Sequence, residues 1–228
     1  MLRELFPESV VVVVSEPAAA SVAGLYPEEA DAVASAVEKR RHEFAAGRAC
    51  ARRALSILGY PPAAIPVGPD RAPIWPEGVI GTISHCARTV VAAVARVGDL
   101  RGIGVDVEPA EPLPANVVRL VCTPREQAEL PAEPPPPGVD WPKIVFCAKE
   151  SIHKVIAPST GIHLGFQDVD VLIDPATATF RARNTGRRTT VPELELIEGR
   201  FAADGQVVAA AAILRGTGAE APPAGRRD

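Results

Sequence analysis

Apolar residues follow two rhythms along this chain. Short valine-, isoleucine- and alanine-rich runs predict strands at residues 10–15, 79–84, 90–97 and 102–108. Between the first two, residues 27–58 carry helical spacing, either continuous or broken once. Pro27-Glu28-Glu29 gives that stretch a proline and two acids at its start, and Gly59, Pro61 and Pro62 stop it. If the helix is continuous, Val33, Val37, Phe44, Ala51, Leu55 and Leu58 share one face, and Arg40 falls inside it. The rhythm then repeats. Residues 109–140 are proline-rich, with a short helix expected at 124–130. A second long helix is predicted at 141–156, ended by Pro158 and Gly161. Strands follow at 169–173, 179–182, 193–202 and 207–214, with Asp204-Gly205 as a hairpin turn. Residues 216–228 read as a mobile tail.

Helix then strands, twice over, predicts an α+β fold of two pseudo-symmetric halves. Each half would be a helix packed on a small antiparallel sheet, with the active site in the cleft between them. Residues 90–97 (VVAAVARV) and 207–214 (VVAAAAIL) agree at five of eight positions, which fits related halves. The expected division is an N-terminal half at 1–108, a connecting segment at 109–140, a C-terminal half at 141–215 and the tail. The 228 residues, 47% hydrophobic, suffice for a sizeable core. The apolar runs, Val10 to Val14 among them and none longer than eight residues, are far short of the ~20 residues a membrane helix needs. No membrane association and a cytoplasmic location are expected. Cys50, Cys86, Cys122 and Cys147 form no CxxC pair and read as free thiols.

Net charge is −4 and aromatics are only 4%, which opposes nucleic-acid binding. The mean conceals a concentration. Residues 39–53 (KRRHEFAAGRACARR) hold six basic side chains against Glu43, a local +5. An arginine directed at a core needs a partner, and its fork suits phosphate oxygens. Arg40 and Arg48 are therefore candidates for a bound anion, with Arg71 of DRAPIWP a further one. Arg41, Arg52 and Arg53 are equally well read as surface charges.

Three further clusters carry candidate chemistry. In GIGVDVE, strand alternation puts Asp106 and Glu108 on one face, their Cα atoms roughly 6.6 Å apart. That spacing suits one hard cation, Mg²⁺ by preference; an exposed strand end is the plainer alternative. In FCAKESIHK, Glu150 and Lys154 share a helix face, as a surface ion pair or as a metal carboxylate beside a phosphate-binding lysine. In GTISHC, Thr82, Ser84 and His85 would form an anion cradle, unless the histidine is simply structural. A Ser-His-Asp hydrolase is disfavoured, because adjacent Ser84 and His85 point to opposite faces and no GxSxG elbow exists.

The order of these segments closely resembles the 4′-phosphopantetheinyl transferases, of the monomeric, two-half Sfp/EntD type. The motifs cover about residues 35–160. The resemblance implies transfer of the phosphopantetheine arm of coenzyme A to a serine of an apo acyl or peptidyl carrier protein, releasing adenosine 3′,5′-bisphosphate. It implies Asp106, Glu108 and Glu150 as Mg²⁺ ligands, Lys154 on the departing phosphate, and His85, Arg40 and Arg48 at the 3′-phosphate, with Arg71 beside them. Glu150 is expected to take the serine proton. The resemblance leaves the role of Lys149 open. Val117, Val118, Leu120, Val121, Arg119 and Arg125 are expected to form a docking surface for an acidic carrier helix, the alternative being an inert spacer. A phosphohydrolase acting on coenzyme A and a non-catalytic coenzyme A-binding protein are the competing readings.

Overall fold

The computed structural model describes residues 1–98 and 100–216. Residues 217–228, most of the expected tail, lie outside the described residues. The elements run β1 (Val11–Ser15), α1 (Pro27–Asp31), α2 (Glu38–Ile57), β2 (Val79–His85), β3 (Val90–Arg96), β4 (Leu100–Pro109), α3 (Ala115–Val121), α4 (Pro124–Ala128), α5 (Trp141–Thr160), β5 (Val169–Asp174), β6 (Thr179–Asn184), β7 (Ile197–Ala203) and β8 (Val207–Arg215). No helix among the described residues is long and apolar enough to cross a membrane.

Two antiparallel sheets result, ordered β1-β3-β2 and β4-β8-β7-β6-β5. The similar runs VVAAVAR and VVAAAAIL are β3 and β8, each buried between two neighbours. The expected N-terminal half ends at residue 108, within β4. β4 is laddered to β8 from Gly102 to Pro109 and so belongs to the second sheet.

Three apolar clusters hold the molecule together. One lies between α2 and the first sheet, around Ala51, Ala54, Ile65, Val90 and Val94. Another lies under α5, around Ile144, Ile152, Phe180 and Leu194. The third joins the sheets, from Val91, Ala93 and Ala95 to Ile103, Val105, Val107, Ala209 and Ala211. Small alanines let the two layers approach closely while keeping the interior dense.

Some expected boundaries move, for local reasons. The first long helix is broken. After α1 the chain turns through residues 32–37, so Val37 is exposed and Arg40 projects from the surface rather than from a buried face. The second helix continues past Pro158 to Thr160. Ser159 and Thr160 hydroxyls donate back to the Val155 and Ile156 carbonyls, and Gly161 at φ 72° ends the helix. Residues 193–196 form a 3₁₀ turn opened by Pro192, and the strand begins only at Ile197. The proline-rich segment holds a helix the apolar pattern did not reveal, α3, before the expected α4. Thr123 caps α4 with a reciprocal bond from Glu126.

Candidate active site at the junction of the halves

The sequence GIGVDVE builds one face of the site. Ile103, Val105 and Val107 enter the core between the sheets. Gly102, Gly104, Asp106 and Glu108 therefore line the opposite face, against α5. A Cβ on Gly104 would lie 2.0 Å from the Ser151 carbonyl oxygen, and one on Gly102 would lie 2.9 Å from Val155 Cγ1. The two glycines thus admit the backbone of α5 onto the strand. That close approach brings Glu150 and Lys154 to the two acids.

Lys154 makes the central tie. Its ammonium donates to Asp106 Oδ1 at 2.8 Å, to the Val105 carbonyl at 2.8 Å and to Ser84 Oγ at 3.0 Å. These bonds link α5, β4 and β2, and they use all three ammonium protons. Ser84 in turn donates to Asp106 Oδ1 at 2.9 Å. The other oxygen of this carboxylate, Oδ2, is buried with no hydrogen-bond partner. A buried carboxylate oxygen left unpaired is costly unless it receives a cation or a donor.

Thr82 and Ser84, expected as part of an anion cradle, are engaged at the junction of the halves. No β-ladder joins β2 to β4 among the described residues. Instead, Thr82 Oγ1 accepts from the Val105 N–H at 3.2 Å and Ser84 Oγ from the Val107 N–H at 3.4 Å. Both hydroxyls are buried and spent on joining the halves. A Ser-His pair is likewise absent: Ser84 bonds to Asp106, whereas His85 bonds elsewhere.

The remaining acids, Glu108 and Glu150, are each close enough to Asp106 to be repelled by it. Burial first, then Asp106, pushes the Glu108 and Glu150 carboxyls above their ordinary values; Lys143 opposes this at Glu108 and Lys154 at Glu150. Among the described residues no group of three or more acidic, histidine or cysteine side chains forms a ready-made metal cage. The donor set still fits a divalent cation: an orphaned Asp106 oxygen flanked by two carboxylates whose charges burial penalises.

The basic candidates separate into two roles. Arg40 hydrogen-bonds His85 Nε2. Arginine only donates, so Nε2 accepts and the ring proton sits on Nδ1, which faces Glu43 Oε2 at 3.6 Å. Burial lowers the His85 pKa, Glu43 opposes that, and Arg40 adds to it. Arg48 is buried. Its Nε donates to the Ile65 carbonyl at 2.8 Å and its guanidinium lies 4.3 Å from the Phe44 ring centroid. Desolvation lowers its pKa to about 10, so it keeps its charge at neutral pH. Arg52 is structural: it clasps the wholly buried Glu29 at 2.7 Å and donates to the Gly24 carbonyl.

Beside Lys154 opens a cleft of about 490 Å³ between the halves. Its lining includes Arg71, Trp75, Arg101, His153 and Val155. Arg71 holds φ at 67°, a left-handed conformation uncommon for a side chain of its kind, at the tip of the loop closed by the Val67–Pro73 bridge. Trp75 lies on Gly81, where a Cβ would meet the indole at 2.5 Å.

Two lysines carry roles that sequence reasoning left open or missed. Lys149 points away from the acids and donates to Glu126 at 2.8 Å, the Val121 carbonyl at 2.8 Å and the Phe166 carbonyl at 2.6 Å. It pins α3 and α4 to α5. Lys143, which no motif marked, is buried, with its ammonium 3.6 Å from Glu108 Oε2. The one available signal was its spacing, seven residues before Glu150 and so on the same helix face.

Known families match both parts of the chain. The model for the 4′-phosphopantetheinyl transferase N-terminal domain matches residues 28–95, and that for the 4′-phosphopantetheinyl transferase superfamily matches residues 102–211. The gap between them, residues 96–101, spans the end of β3 and the start of β4, where the sheets divide. The chain is 44% identical over 200 residues to the 4′-phosphopantetheinyl transferase Svp of Streptomyces mobaraensis, covering 83% of this chain and 78% of that one. It is 37% identical over 194 residues to the 4′-phosphopantetheinyl transferase PptT of Mycobacterium tuberculosis, covering 82% and 85%. It is 34% identical over 130 residues to enterobactin synthase component D of Salmonella typhi, covering 56% and 53%.

Proposed function

The chain belongs to the 4′-phosphopantetheinyl transferase superfamily, of the two-half Sfp/EntD type, and from that premise we propose how its own residues carry out the transfer. It is an enzyme of this class, with coenzyme A as substrate and a carrier protein as acceptor. The matches give no support to the phosphohydrolase alternative.

The observation that carries the site assignment is the unpartnered Asp106 Oδ2 beside the Lys154 tie. Asp106, Glu108 and Glu150 would hold a divalent cation, Mg²⁺ by the preference for carboxylate oxygens. Such a cation supplies neutralisation of the pyrophosphate charge that develops during transfer. Coenzyme A lies along the junction, from the Lys154 cleft, whose lining includes Arg71, to the Arg40–His85 pair, which stands outside that lining. Arg40 and His85, with Arg48 behind them, receive the 3′-phosphate, and Arg71 adds charge from the loop. When pyrophosphate arrives, Lys154 exchanges one of its three protein acceptors for a phosphate oxygen and stabilises the departing adenosine 3′,5′-bisphosphate.

The incoming serine hydroxyl attacks the phosphorus bearing the pantetheine arm, and its proton passes to Glu150. Burial and Asp106 raise the basicity of that carboxylate. If Glu150→Gln retains full turnover with unaltered cation binding, this role is wrong. The carrier docks beside the proline-rich segment, on a smaller surface than the sequence implied. Val121 is in the core and Arg125 pairs with Glu129 at 2.9 Å, which leaves Leu120 and Arg119 exposed. Arg119→Glu should raise the carrier KM while leaving coenzyme A affinity alone. Both sheets and both helices of the site come from one chain, so a monomer suffices.

The test that separates transfer from hydrolysis is product chromatography. Adenosine 3′,5′-bisphosphate should appear only when apo carrier is present. Release at the same rate without carrier would make the enzyme a hydrolase.

A further inference from the structure

Lys143, Cys147, Glu150 and Lys154 recur at four- and three-residue spacing, so they form one stripe on α5. The stripe faces Asp106 and Glu108 on β4. Each β4 acid meets one lysine: Asp106 meets Lys154 at 2.8 Å, and Glu108 meets Lys143 at 3.6 Å. Between them the wholly buried Cys147 thiol is pushed well above its ordinary pKa by burial, Asp106 and Glu108, so it stays neutral and takes no part in the charge balance.

The two lysines are held very differently. Lys154 has three hydrogen bonds. The Lys143 ammonium lies 3.6 Å from Glu108 Oε2, at the edge of hydrogen-bond reach, where its charge and this single long contact oppose the rise in the Glu108 pKa. Its other neighbour is the face of Phe146, 6.0 Å from the ring centroid. Lys149, on the same helix, shows what a structural buried lysine looks like here, with three bonds and an ion pair at 2.8 Å. Lys143 has no such anchoring, although its side chain is only 9% exposed. Its charge is directed at Glu108, yet loosely enough to be separated from it.

We propose that Lys143 competes with the divalent cation for Glu108, and so sets the cation concentration at which the site fills. The inference rests on the reading of Asp106, Glu108 and Glu150 as cation ligands. A positive charge beside a ligand repels a second one, and a partly buried site screens that repulsion less than water does. Removing the charge should tighten cation binding. If Lys143 instead orients Glu108 for the cation, removing it should weaken binding. The sign of the change decides between them.

The experiment is a calorimetric titration of Mn²⁺, standing in for Mg²⁺, into the full chain without coenzyme A. The proteins are wild type, Lys143→Met, Lys143→Gln, Lys143→Arg and Asp106→Asn. Lys143→Met and Lys143→Gln should each bind Mn²⁺ about threefold to tenfold more tightly than wild type. Lys143→Arg, which keeps the charge, should bind no more tightly than wild type. Two neutral variants are included so that a folding defect in one, seen as a lost melting transition, leaves the other to decide. Equal or weaker binding by the folded neutral variants overturns the proposal while leaving the cation site intact. If Asp106→Asn binds as wild type does, or wild type binds no Mn²⁺, the site assignment itself fails and the proposal falls with it.

Discussion

Gly104→Ala tests how the site is assembled without touching any ionisable group. The new Cβ would lie 2.0 Å from the Ser151 carbonyl oxygen, 3.0 Å from its carbon and 3.1 Å from Val155 Cγ2. Two of these atoms are backbone in the middle of α5, so no side-chain rotation relieves the clash. Restoring ordinary contact at 3.4 Å requires α5 and β4 to separate by about 1.4 Å. Ser151 sits between Glu150 and Lys154, so the whole catalytic stripe moves away from Asp106. Misplacing a catalytic group by ~1 Å costs about a hundredfold in rate, and overpacking costs about 1–3 kcal/mol of stability. For a chain of this size that lowers Tm by roughly 2–12 °C, leaving a folded enzyme at 25 °C. Steady-state kinetics with apo carrier, beside a melting curve, should show kcat/KM down about 100-fold. Gly102→Ala is the internal control. Its Cβ meets the movable Val155 Cγ1 at 2.9 Å, so the loss should be much smaller. If Gly104→Ala keeps kcat/KM within threefold of wild type, the account of helix approach is wrong.

Other perturbations address separate parts of the site. Arg40→Gln should raise the coenzyme A KM about tenfold with little change in kcat, a loss of one charged phosphate contact, and His85→Ala, which removes the acceptor that orients Arg40, should raise it by a smaller factor; unchanged KM values would remove these residues from the 3′-phosphate site. Lys149→Met should leave Glu126 buried without its cation and lower stability by about 3–5 kcal/mol in chemical denaturation, with no direct effect on chemistry. In the pH profile, Glu150 must be ionised to hold the cation and to take the serine proton, so kcat/KM should fall on the acid side as that carboxylate protonates. The raised Glu108 and Glu150 pKa values also carry a stability sign. Their contribution is fully present below the unfolded value and is lost as pH rises through the folded one. Mg²⁺ should therefore raise Tm more at pH 7.5 than at pH 5, where the carboxyls are partly protonated; an equal gain at both would contradict the cation assignment.

Much of this was legible in the residues. Alternation alone placed Asp106 and Glu108 together opposite Val105 and Val107, because strand geometry leaves no other choice. Helical spacing paired Glu150 with Lys154. The halves emerged from the repeated order of elements. What stayed hidden depends on tertiary contact. Thr82 and Ser84 look like free hydroxyls in a strand, and only the neighbouring β4 shows that they replace a missing backbone ladder. Lys149 and Lys154 belong to one motif, yet burial against Glu126 separates a structural lysine from the one facing the cleft. Helical periodicity through residues 27–58 left a continuous and a broken helix equally open, and the turn at residues 32–37 selects the broken one, which puts Arg40 on the surface. Lys143 carried no signal beyond its spacing on the helix face.

The central claim is that this junction of β2, β4 and α5 transfers phosphopantetheine to a carrier serine. The most direct measurement is the intact mass of an apo carrier protein after incubation with the enzyme, coenzyme A and Mg²⁺. Wild type should add one phosphopantetheine, localised to the carrier serine by fragmentation, and Asp106→Asn should add none. Absence of the adduct on every one of several carriers with wild type, or an undiminished adduct with Asp106→Asn, would contradict the account.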